Sequence, residues 1–75
     1  MFLSNISSIK AYTSNANNPI YMYGGISGTS GTDLIETFPK GGSLSSAITV
    51  DVSSYDYVYL KGGAAGQTLI VTVLG

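Results

Sequence analysis

The chain has no cysteine, no histidine, no arginine and no tryptophan, and each absence closes a route. Without cysteine there is no disulfide framework, the usual support of small secreted domains. Without cysteine and histidine, a zinc site loses its nitrogen and sulfur ligands. Acid–base catalysis near neutral pH loses the side chain that most often performs it. Lysine occurs only at positions 10, 40 and 61, and the net charge is −1, so no basic cluster exists to neutralise a nucleic-acid backbone. Apolar runs such as Leu69-Ile70-Val71 fall far short of the ~20 residues of a membrane-spanning helix. Met1-Phe2-Leu3 passes at once into Ser4 and Asn5, with neither the basic nor the apolar region of a signal peptide. Synthesis and retention inside a cell, at least until assembly, are therefore expected.

Charge is the most informative shortage. Charged residues make up 9 % of the chain, against about 25 % in soluble domains. Disorder does not account for this, because disordered chains are poor in aromatic and β-branched residues. Here Val, Ile, Thr, Tyr and Phe fill 27 of 75 positions. A folded but charge-poor chain of 7.7 kDa fits a molecule whose outside is partly covered by other protein. Eighteen Ser and Thr hydroxyls offer the competing explanation, a neutral domain kept soluble by polar groups. Size favours cover: 75 residues form one domain with a marginal core, and such domains lean on disulfides, metals or partners. Only partners remain.

What is present reads as strand. The best period-two pattern runs from Leu44 to Val52, with Leu44, Ser46, Ile48, Val50 and Val52 on one face. Tyr55 to Lys61 alternates as well. Gln67 to Leu74 is apolar on both faces, which predicts a central or covered strand. Shorter strands are expected at Ser8 to Thr13, Ile20 to Tyr23 and Leu34 to Phe38. Ser14 to Pro19 separates the first two as a turn-forming loop, and Gly24 to Thr32 reads as a flexible one. The pairs Gly24-Gly25, Gly41-Gly42 and Gly62-Gly63 suggest tight turns. These elements predict an all-β domain spanning residues 1–75, a small antiparallel β-sandwich or barrel of about six short strands. Met1 to Ser7, carrying Phe2, Leu3 and Ile6 ahead of the regular pattern, is expected to form an arm that packs on a neighbouring subunit.

No constellation for catalysis emerges, so the chain is not expected to be an enzyme and no catalytic, metal or cofactor residues are assigned. A serine nucleophile needs a base, and only the three lysines could serve. Asp33, Glu36, Asp51 and Asp56 form no recognisable pair, and Asp51 with Asp56 lacks the spacing of a calcium loop. The glycine segments lack the Gly-Lys-Ser/Thr ending of a phosphate cradle. The tyrosines are the one specific feature. Tyr55, Tyr57 and Tyr59 share one side of a strand, and Tyr21 and Tyr23 share a side of another. Three uses are open: cross-strand packing within the fold, a protein interface, or a sugar-stacking platform.

The stretch Ile48-Thr49-Val50-Asp51-Val52-Ser53-Ser54-Tyr55-Asp56-Tyr57-Val58-Tyr59-Leu60, with Leu69 to Gly75, resembles small virion proteins of tailed bacteriophages. The nearest class is that of capsid decoration or cement proteins. That resemblance implies a homo-oligomeric subunit, often a trimer, bound to the major capsid protein on the capsid surface. The tyrosine rows and the amino-terminal segment together make Phe2, Leu3, Ile6, Tyr21, Tyr23, Tyr55, Tyr57 and Tyr59 the residues expected at interfaces, and no membrane or nucleic-acid contact is expected. A tail or baseplate component differs only in location. The same stretch is similar to paired strands of carbohydrate-binding β-sandwiches, although the tryptophan those modules often carry is missing.

Overall fold

A computed structural model describes residues 5–26 and 33–75. It is all-β: two three-stranded antiparallel sheets with a shared core. The strands are β1 (Ser8–Tyr12), β2 (Ile20–Gly25), β3 (Asp33–Phe38), β4 (Ile48–Asp51), β5 (Tyr57–Gly62) and β6 (Ile70–Val73). One sheet has the order β4-β1-β6 and the other β3-β2-β5. Every connection crosses between the sheets except the one joining β2 to β3, so neither sheet can form without the other.

Alternation sets the faces. From β1 come Ile9 and Ala11, from β2 Ile20 and Met22, and Phe38, Val50 and Val58 from β3, β4 and β5; all are buried between the layers. Val52, just past β4, is fully buried with them. Burial of such side chains contributes about 1.5–3 kcal/mol each for the larger ones. β3 lies against β4 on one side of the sandwich. On the other side, Leu60 of β5 and Val73 of β6 project from the inner faces yet stay 50 % and 55 % exposed.

The segment leading into β1 is tied to Gly75. Ser8 N–H donates to the Gly75 carbonyl at 3.0 Å, as does Ser7 N–H, and Val52 N–H donates to the Ser7 carbonyl at 2.9 Å. Ile6 packs against the core of its own chain. It is therefore engaged within this molecule, although the segment carrying it reads in sequence as an arm. Phe2 and Leu3, the rest of that expectation, lie outside the described residues.

Three further expectations are corrected. The strand expected from Leu44 to Val52 begins only at Ile48. Leu44–Ser46 is a 3-10 turn in which Ser43 N–H donates to Ser46 Oγ at 2.9 Å and Ser46 N–H to the Ser43 carbonyl at 3.0 Å. Local serine hydrogen bonds outcompete the ladder there, and Leu44 is left exposed. Gln67 to Leu74, expected to be central or covered, is not central: its strand, β6, is an edge. Of the three glycine pairs, only Gly41-Gly42 is the expected turn, with φ of 67° at Gly41. Gly24 and Gly25 lie inside β2.

Candidate functional site: a tyrosine face

Cross-strand register brings the two tyrosine rows together. On the outer face of the β3-β2-β5 sheet, Tyr23 pairs with Tyr59, Tyr21 with Lys61 and Gly25 with Tyr57. From β3, Leu34 stands beside Tyr23 and Thr37 beside Tyr21. The result is one surface of four tyrosines with Leu34, Thr37 and Lys61. Tyr59 and Leu34 are each 55 % exposed, while Tyr21, Tyr23 and Tyr57 are half-buried. Asp33 and Glu36 pair with Gly24 and Met22, on the opposite face of the sheet, so neither carboxylate enters the tyrosine face.

The Gly24-Gly25 pair makes this arrangement fit. A Cβ on Gly24 would run into the Tyr55 ring, and one on Gly25 into the Tyr57 ring. Successive strand residues point to opposite faces, so the pair admits one tyrosine on each side of β2. Tyr55 thereby leaves the row expected from sequence. Its N–H donates to the Val52 carbonyl at 3.1 Å in the turn before β5, and its ring packs against the core. Tyr57 stays outside, its ring meeting that of Tyr59 at 5.3 Å between centroids and 78° between planes. The signal that sequence reasoning missed is that a glycine pair inside a strand makes room for aromatic rings from a neighbouring strand.

Chemically, this face can bury apolar area and offer four hydroxyls. Lys61 is the one charged side chain that the register places on it. The edge-to-face contact of Tyr57 with Tyr59 also prevents the two rings from forming a flat platform for a sugar. Among the described residues, no group of three or more His, Cys, Asp or Glu side chains is placed to hold a metal. Asp51, half of the carboxylate pair weighed for calcium, has its own partner. Ser53 Oγ donates to Oδ1 at 2.6 Å and Ser53 N–H at 2.9 Å, holding the carboxyl below its ordinary pKa. No helix among the described residues is long and apolar enough to cross a membrane.

A second depression lies between the loop at residues 15–18 and the turn at residues 64–67, with a volume of about 170 Å³. Ligand pockets usually measure about 300–1,000 Å³. Its main side chain, Gln67, is already committed: Oε1 accepts from Ala64 N–H at 2.9 Å, and Nε2 donates to the carbonyls of Asn18 and Pro19 at 3.0 and 3.3 Å. Gln67 staples two loops together, and the depression is what the staple leaves over.

No protein family matches the chain, and none of the curated proteins or solved structures compared with it matches either.

Proposed function

We propose that this protein is a structural subunit of a virion, of the capsid decoration or cement kind, which docks on the coat-protein lattice through its tyrosine face. One observation carries the reading: four tyrosines and a half-exposed Leu34 share one sheet face with Lys61 as its single charge. Tyrosine supplies broad contact area at low entropic cost and is enriched at protein interfaces. A standard contact of about 800 Å² per partner would cover near a fifth of the 4491 Å² surface. Cover on that scale makes the low charge of the chain sensible. Lattice symmetry would multiply modest contacts into firm attachment. The same argument serves a tail or baseplate position, which differs in what the face docks on.

The test is co-sedimentation with purified particles and with separated heads and tails. Wild-type protein is expected to pellet with heads. Tyr59→Ser also gives up the edge contact with Tyr57, so it is expected to stay folded with a modestly lower thermal midpoint and to bind about 30-fold more weakly, the loss of a ~2 kcal/mol hot spot. Recovery of the wild type as a free protein absent from particles would end this reading. Binding to tails alone would move the subunit there. Sugar binding on a glycan array, lost in Tyr59→Ser, would favour the carbohydrate module instead.

A further inference from the structure

The two sheets leave four strand edges, and three of them carry charge. β3 bears Asp33 and Glu36, with a register shift opposite Met22 and Tyr23. β4 ends in Asp51, and β5 carries Lys61 with Asp56 just before it. Charges and bulges of this kind stop edges from adding strands. β6 has none of them. From Gln67 to Leu74 there is no charged residue, no proline and no glycine, and among the described residues nothing pairs with its outer edge. Ile70, Val73 and Leu74 are 43 %, 55 % and 50 % exposed. Leu74 N–H donates to the Ser8 carbonyl at 3.0 Å. Antiparallel alternation then directs the backbone groups of Ile70 and Thr72 toward β1 and those of Val71 and Val73 toward the open edge.

We propose that this edge pairs antiparallel with β6 of a second copy of the chain, with Thr72 facing Thr72 across a two-fold axis. In that register Val71 exchanges both backbone hydrogen bonds with the second copy's Val73, and Val73 with its Val71. Ile70 meets Leu74 across the new seam, so two half-exposed side chains cover each other on each side of the axis. Charge selects a second copy as the occupant. Self-pairing about a two-fold places like residues near one another close to the axis, which limits the registers open to an edge bearing Asp33, Asp51 or Lys61. β6 is the one edge of the four with no charged side chain, so no register of self-pairing opposes like charges there. Growth stops at two, because every edge left open in the dimer is a charged one. Six residues from Leu69 to Leu74 at about 3.4 Å each give a seam some 20 Å long, a footprint on the order of 400 Å² per copy. That is about half a standard interface, so the dimer is reversible and concentration-dependent. The inference goes beyond the tyrosine face, which lies on the other sheet, and the two fail separately.

The test exploits the absence of cysteine. Across a non-hydrogen-bonded antiparallel pair the Cα atoms lie about 4.5 Å apart, within disulfide range. Under copper-phenanthroline oxidation Thr72→Cys should give a covalent dimer, while Thr49→Cys, exposed on the β4 edge of the same sheet, should not. In sedimentation equilibrium the wild type should rise from 7.7 kDa toward twice that mass as concentration increases. Thr72→Glu keeps a favourable cross-strand neighbour in Lys10 but opposes two carboxylates on the axis. It should retain its circular dichroism and raise the dimer dissociation constant about tenfold or more. Equal cross-linking of both cysteine variants, a trimer, or a wild type still monomeric at about 1 mM would overturn the proposal.

Discussion

Thr13 is the only buried polar residue among those described, fully shielded from solvent just beyond β1. Its Oγ1 donates to the Thr68 carbonyl at 2.8 Å and accepts from the Asn15 backbone N–H at 3.3 Å and from Asn15 Nδ2. Its own carbonyl accepts from Gly42 N–H at 2.8 Å. One residue thus fastens the strand end, the loop that follows, the turn at Gly41-Gly42 and the approach to β6. Thr13→Val keeps the shape and removes the hydroxyl. A neutral hydrogen bond contributes about 1 kcal/mol net, and an unsatisfied buried partner costs about 1–3 kcal/mol. Thr68 is exposed and Asn15 half-buried, so water can reach part of what is lost. The expected destabilisation is about 2 kcal/mol, or roughly 10 °C in a domain of this size.

The comparison that isolates the hydroxyl is Thr13→Ser, which loses one methyl at about 0.8 kcal/mol plus a small cavity term. Urea unfolding at fixed protein concentration, with the slope checked for constancy, should rank wild type above Ser and Ser above Val. A valine variant as stable as the serine one would refute the reasoning, because packing alone would then account for the site.

Gly24→Ala should destabilise by about 1–3 kcal/mol through overpacking against the Tyr55 ring, read as a lower thermal midpoint; an unchanged midpoint would mean that the ring moves freely. Asp51 has a folded-state pKa below its unfolded one because it accepts from the Ser53 hydroxyl first and the Ser53 N–H second. Its contribution to stability is therefore present above the ordinary carboxylate range and lost as pH falls through the lower folded value. An NMR titration of the Asp51 carboxyl should show that depressed midpoint in the wild type and a shift upward in Ser53→Ala.

Short-range chemistry was legible in the sequence, and neighbour relations were not. The alternation of Ile48, Val50 and Val52 correctly marked an inward face, because period two is a property of the strand itself. Extending it to Leu44 failed where serines at 43 and 46 bond to one another. The pairs Tyr21 with Tyr23 and Tyr57 with Tyr59 were legible as shared sides for the same reason. Their union into one face depends on β2 lying beside β5, a contact between segments more than 30 residues apart. Tyr55 left its row because the turn from Val52 closes on it before the strand begins. For β6 the sequence left two positions open, central or covered, and the fold excludes only the first. A strand apolar on both faces is the pattern of a buried central strand, and the same pattern belongs to an edge that another chain completes.

The charge deficit therefore has a location. Lys10 lies on the outer face of the β4-β1-β6 sheet, Lys40 in the turn after β3, and the remaining five charges on or beside β3, β4 and β5. Among the regions that the seven charges leave bare are the tyrosine face apart from Lys61 and everything from Gln67 to Gly75. A chain kept neutral merely by chance, with hydroxyls for solubility, would spread its few charges without regard to edges. Here three edges receive them and one does not. The bare edge and the bare face belong to different sheets, so both can be occupied at once. A pair of chains joined at β6 would present two tyrosine faces, and two modest contacts acting together hold far more firmly than either alone.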